Sequence, residues 1–252
     1  MVFDALLDPI FSPLLKMNSL LAIALISFLI SVVITVIYKY VTDQDLMKRL
    51  KSEMKEFQKE VKELKAHPEK AMAVQKKAME TNMKYMMHSM KPTLFTMLPI
   101  LLIFGWLNAH MAYYPLLPNQ EFTATVNFDA GTTGEIELIT GDGLYVVGEQ
   151  LKIIEDGSVV FILKGDPGEY LLEFKKDEKS YTKEVIISTE RDYSPVEESI
   201  KEDGIKTIQL SNAPVKPFGR FSLFGWRPGW LGAYIIFSIV FSSLLRKLMK
   251  IY

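Results

Sequence analysis

Three blocks of apolar residues, separated by charged and alternating stretches, constrain this chain more than any other feature of its sequence. A helix needs roughly 20 mostly apolar residues to cross a hydrocarbon core about 30 Å thick. Residues 20–38 carry no charge, and residues 93–114 are apolar apart from Asn108, His110 and a few threonines. Residues 230–245 form a third, shorter block, about 24 Å long at 1.5 Å per residue, which implies a locally thinned bilayer. Tyr113, Tyr114, Trp226 and Trp230 sit where aromatic side chains favour the headgroup region. The expected architecture is an α-helical membrane protein with three transmembrane helices, at 19–39, 92–114 and 230–246.

Charge beside the spans predicts their orientation. Residues 42–91 carry 12 basic and 8 acidic side chains, whereas residues 115–228 carry 12 basic and 20 acidic ones. Arg246, Lys247 and Lys250 follow the third span. The stretch 42–91 and the tail 247–252 are therefore expected in the cytoplasm of a cell-membrane protein, with the N-terminus and residues 119–212 outside. The chain opens with Asp4 and Asp8 instead of a basic n-region, so the first block reads as a retained anchor and not as a cleaved signal. Residues 1–18 mix Phe3, Leu6, Leu7, Ile10, Phe11 and Leu14 with the two aspartates and are expected to lie along the outer interface.

Within 42–91, Leu46, Leu50, Met54, Phe57, Val61 and Leu64 recur in steps of three or four, which predicts an amphipathic helix. His67-Pro68-Glu69 breaks it, a second helix is expected from Glu69 to Met90, and Pro92 is expected to end that helix. Together they form a cytoplasmic antiparallel helical hairpin. Met79, Met83, Met86, Met87 and Met90 crowd its second helix. Methionine repacks around varied apolar partners, so these residues are candidates for client binding; the other reading is that they form the hairpin's own core.

Hydroxyls mark one face of the spans. Ser27, Ser31 and Thr35 are four residues apart on the first, as are Tyr234, Ser238 and Ser242 on the third, and Thr93 and Thr96 begin the second. Polar side chains in a span turn away from lipid, so these stripes either line a shared groove open to the cytoplasm or pack the helices against each other.

Between the second and third spans the pattern changes to short alternating runs at 122–128, 135–139, 150–154, 159–163, 170–174, 181–187 and 206–210. Gly141-Asp142-Gly143, Asp156-Gly157 and Asp166-Pro167-Gly168 punctuate them as turns, with calcium binding by these aspartates as the lesser reading. The expectation is an inserted extracellular all-β domain, sandwich-like, with an immunoglobulin-like arrangement as one reading and the topology left open, followed by a Pro-rich linker at 213–229 with Phe218, Phe221, Phe224 and Trp226 at the interface.

The order of these parts resembles the YidC/Oxa/Alb membrane-protein insertase superfamily in its reduced three-span archaeal form. The resemblance rests on Lys62-Glu63-Leu64-Lys65-Ala66-His67-Pro68-Glu69-Lys70 at the hairpin turn, the Met-rich helix after it, and Lys91-Pro92 and Leu98-Pro99 at the second span. It implies a chaperone-like insertase that receives hydrophobic segments of nascent membrane proteins and passes them into the lipid bilayer without nucleotide. A ribosome contact is implied by the resemblance alone. Bacterial members are similar in carrying an arginine in the groove, and none lies within the three apolar blocks here. The outer β-domain is not part of the family's common core.

The chain has no cysteine and shows no nucleotide, protease or hydrolase fingerprint, so no cofactor, metal or enzymatic activity is expected, and no DNA partner. Two further classes stay open: a structural or interaction protein presenting the β-domain, and a channel.

Overall fold

The computed structural model describes residues 4–155, 157–222 and 225–251, and the side chains of all of these except residues 4–6 and 65. The readings made of Phe3, Leu6, Asp4, Asp156 and Phe224 therefore lie outside the described residues or side chains. The chain divides into two compact units, 20–105 with 231–251, and 4–19 with 106–230.

The first unit is helical. Helix α2 (Ser19–Val41) follows the N-terminal helix α1 (Asp4–Leu15) and is apolar apart from its hydroxyl stripe and the Lys39 end. Asp43 then caps α3 (Gln44–Glu63), its carboxylate accepting the Leu46 N–H at 3.0 Å. Met47 and Leu50 of α3 are buried, and Met54, Phe57, Val61 and Leu64 are half-buried along the same stripe. A single 3-10 turn over Leu64–Ala66 leads to His67, after which Pro68 opens α4.

Helix α4 runs unbroken from Pro68 to Met111, 44 residues, with Pro92 and Pro99 inside it. The expectation that Pro92 ends a helix is corrected here. A proline removes one backbone bond, and a helix with neighbouring hydroxyls and long flanking turns absorbs the loss. Ser89 donates to the Tyr85 carbonyl at 2.6 Å and Thr93 to the Ser89 carbonyl at 3.3 Å around that point. The third apolar helix, α5 (Trp230–Leu248), is also longer than the apolar block suggested, because it continues through Arg246 and Lys247. At 19 residues it spans about 28 Å, close to a hydrocarbon core, so its length alone does not call for thinning. Helices α2, α4 and α5 are each long and apolar enough to cross a membrane.

Among its described residues the second unit holds nine strands in two antiparallel sheets: β1 (Phe122–Phe128), β2 (Glu135–Ile139), β3 (Leu144–Val146), β4 (Leu151–Ile153), β5 (Ser158–Gly165), β6 (Gly168–Lys176), β7 (Lys179–Ile187), β8 (Glu197–Glu202) and β9 (Ile205–Leu210). One sheet has the order β3-β5-β1-β9-β8, the other β4-β2-β6-β7. The first strand is central in its sheet, so the immunoglobulin-like order is not the one formed. Alternation decides what is inside. Phe122, Ala124, Val126 and Phe128 of β1 meet Val159, Phe161 and Leu163 of β5, Phe174 of β6 and Val185 and Ile187 of β7 in one apolar core. Gly165 has no room for a side chain, since a Cβ there would lie 2.7 Å from Ile187 Cδ1 and 2.8 Å from Leu144 Cδ1.

The two sheets are joined at opposite edges by lysines. Lys152 of β4 donates to the Val160 carbonyl of β5 at 2.9 Å. Lys183 points inward from β7, fully buried, with its ammonium 3.5 Å from Glu198 of β8. Burial pulls the Lys183 pKa below its ordinary value, and Glu198 opposes that shift.

Within this unit, the segments on either side of the strands pair with each other. Tyr113 pairs with Pro214 as an antiparallel bridge, Tyr114 N–H donates to Ala213 O at 2.8 Å, and Val215 N–H donates to Ala112 O at 2.8 Å. Asn212 Nδ2 adds a bond to Tyr114 O at 2.9 Å.

Candidate functional site

The hydroxyl stripe of α2 is buried in the helical unit. Ser27, Ser31 and Thr35 are all nearly inaccessible, as are Thr96 of α4 and Tyr234 of α5. Ser238 and Ser242 are half-buried and Thr93 is exposed. Ser27 bonds back to the Ile23 carbonyl at 2.7 Å and Thr96 to the Thr93 carbonyl at 3.1 Å, the usual way a hydroxyl is satisfied inside a helix. Thr35 Oγ1 and Ser238 Oγ are buried with no hydrogen-bond partner among the described residues. The stripe of α2 is thus packed away from solvent, whereas Thr93 is exposed and Ser238 and Ser242 are half-buried, and Thr35 and Ser238 each leave a hydroxyl unsatisfied among the described residues. Aromatic contacts hold the helices here: Phe104 meets Tyr234 edge-on at 4.8 Å and Phe28 meets Phe241 at 5.4 Å.

An arginine belongs to this site. The Arg246 guanidinium lies 4.7 Å from the ring centre of Tyr38, a cation–π contact. Tyr38 follows Thr35 by three residues on α2, and Arg246 follows Ser242 by four on α5, so both extend the hydroxyl stripes in register. The four-residue spacing of 234, 238, 242 and 246 is the signal that finds it.

Between residues 68 and 98 of α4 the buried side chains are Val74, Thr81, Pro92 and Thr96. The methionines occupy the remaining faces. Met79, Met83, Met86, Met87 and Met90 are 49–67% exposed, and Leu94, Phe95, Met97 and Leu98 continue the exposed apolar surface toward the apolar half of the helix. These residues do not form a core with α3. Five flexible thioethers left unpacked on one helix make a surface that can accept apolar segments of different shape.

Groove and methionines both belong to the helical unit, whereas the aromatic residues at the end of α4 belong to the other. There Trp106 donates its indole N–H to Asp8 at 2.7 Å and packs on Phe11 at 5.1 Å. Tyr193 accepts the Ala112 N–H at 2.8 Å and donates to the Asn108 carbonyl at 2.7 Å, with Val196, Tyr113 and Trp230 packed around it. Burial raises the Tyr193 pKa to about 12. The hydrogen bonds among them were not legible beforehand, because their partners are more than 80 residues apart.

Among the described residues no three His, Asp or Glu side chains come together to hold a metal. The family model for integral membrane proteins described as EMC3/TMCO1-like matches residues 4–145, from α1 into the third strand. No curated protein and no solved structure matches the chain.

Proposed function

Because the chain belongs to the EMC3/TMCO1-like family of integral membrane proteins, within the insertase-related Oxa1/YidC/Alb3 superfamily, we propose that it is a membrane-protein insertase of the reduced three-span, archaeal YidC-like kind. In this reading α3 and the first half of α4 form a cytoplasmic hairpin, the C-terminus is cytoplasmic, and the N-terminus and the β-domain face outward. The basic excess of residues 42–91 and the acidic excess of residues 115–228 support that orientation.

The exposed methionine surface carries the proposal. A client's apolar segment is held there at the start, shielded from water on one side. Its polar flank then enters between α2, α4 and α5, where the unpaired hydroxyls of Thr35 and Ser238 and the Arg246 guanidinium offer partners. A buried unsatisfied hydroxyl costs about 1–3 kcal/mol, which is recovered when a client group or water meets it. The closed stripe is accordingly the resting state, and client entry parts the helices. The driving force is transfer of the client's apolar surface into hydrocarbon, roughly 25 cal/mol per Å², so neither nucleotide nor enzymatic chemistry is required. The partners are nascent membrane proteins, the bilayer and, by family likeness, the ribosome.

One observation favours a second reading. Tight packing of Ser27, Ser31 and Thr35 is also what an interaction protein would show if its spans only tethered the β-domain. Site-specific photo-crosslinking during translation of a membrane protein with a short exported N-terminus separates the two. Probes at Met83, Met86, Ser31 and Ser238 are expected to capture the nascent chain, and a probe at Tyr170 on the β-domain is not. Absence of adducts from all four would leave the tethered interaction protein.

A further inference from the structure

The second unit contains a cavity that plays no part in the insertion path. It encloses about 580 Å³ and is lined by Ser12 and Lys16 at the end of α1, His110 of α4 and the segment that joins β7 to β8, including Arg191. Three features bear on what it can hold. Arg191 Nη1 is buried and has no hydrogen-bond partner among the described residues. An arginine nitrogen taken out of water without an acceptor is unfavourable, and a phosphate oxygen satisfies it with a charge-assisted bond.

Next, His110 is held in one orientation. Its Nδ1 lies 3.0 Å from the Trp106 carbonyl, which only accepts, so Nδ1 carries the proton and Nε2 is left as the ring's acceptor. The ring stacks on Trp106 at 4.6 Å, and Trp106 is itself fixed by Asp8. Finally, the Asp8–Trp106 bond also sets the face of α1: Asp8, Ser12 and Lys16 are four residues apart, so anchoring the first brings the other two to the same wall.

We propose that this cavity binds the phosphate of a phospholipid headgroup, with Lys16 and Arg191 as its donors, Ser12 beside them, and His110 Nε2 as an acceptor for a headgroup hydroxyl or ammonium. The cavity lies at the end of an apolar helix long enough to span a membrane and against a short helix bearing exposed Ile10, which favours a lipid phosphate over a free one. Glu190 and Asp192 line the same cavity. Their carboxylates suit a headgroup that carries donors of its own next to the phosphate, a hydroxyl or an ammonium. Assigning the lipid to the outer leaflet rests on the orientation proposed above; the binding does not.

Native mass spectrometry of the full chain in detergent reads binding directly, with phosphatidylglycerol, diacylglycerol of the same acyl chains and inorganic phosphate as probes. Phosphatidylglycerol is expected to be retained, and Lys16→Gln with Arg191→Gln to weaken it about tenfold, as loss of charge-assisted bonds implies. Lys164→Gln, which removes a charge from the exposed side of β5, is expected to leave it unchanged. Equal retention of diacylglycerol by the unmodified protein overturns the proposal whether or not the double variant folds. So does equal binding of inorganic phosphate, which would assign the site to a free anion. A loss of insertion with lipid binding intact, or the reverse, separates this proposal from the insertase reading.

Discussion

Tyr193 shows how much a single side chain does at the base of the β-domain. Its hydroxyl is the partner of a backbone N–H and a backbone carbonyl at the end of α4, and both lose that partner when it goes. Tyr193→Phe is expected to lower the stability of this unit by about 1–3 kcal/mol, the cost of leaving buried polar groups unmet, measured by thermal unfolding of the full chain followed by near-UV circular dichroism. The pH dependence has a definite sign. Tyr193 and Tyr181 both titrate near 12 in the folded protein, chiefly because burial disfavours the phenolate, against 10 when free; Tyr181 also donates to Asp203. Their contribution is therefore complete below pH 10 and is lost between about 10 and 12, as the unfolded chain gives up these protons first. Absorbance of tyrosinate should show one late-titrating tyrosine fewer in Tyr193→Phe than in the unmodified chain.

Elements read from the sequence divide by the strength of their period. The alternating apolar residues of β1, β2 and β7 made those strands legible, and the stripe of α3 made that helix legible. By contrast, β8 (Glu197–Glu202) is mostly exposed with little apolar alternation, so it carries no strand signature and forms because β9 offers it an edge. β3, only three residues long, is set by pairing with β5. Helix α4 misled in the other direction, since Pro92 looks like an end and is only an interruption. Lys183 is the least expected member of any element, a charge in the inward row of β7. Its ammonium is buried with no hydrogen-bond partner among the described residues. Replacing a buried ion of this kind by an apolar side chain of similar length is often neutral or favourable, so Lys183→Met should leave the unfolding temperature unchanged or raise it, by about 1–2 kcal/mol of stability at most. A clear decrease would mean that the contact with Glu198 outweighs the desolvation of the lysine.

At the scale of the whole chain, the three apolar blocks and the β-rich insert were legible because composition alone separates them. The site was legible only in part. Spacing located the hydroxyl stripes and the methionines, but whether a stripe is open or shut depends on packing between helices far apart in sequence, and the apolar tally that bounds a span stops short of Arg246. The paired entry and exit of the β-domain was equally invisible, because it joins residues 112–114 to residues 213–215 across about a hundred positions. A chain in which residues 117–211 are replaced by an Asn-Gly turn is expected to keep this pairing and still integrate into membranes, checked by fractionation and alkaline extraction. Lengthening a loop whose ends are already pinned costs little, about 0.6 kcal/mol per doubling. The insert is thus a cassette sewn shut at its base, which a lineage of such proteins could gain, lose or exchange without redrawing the helices that carry it.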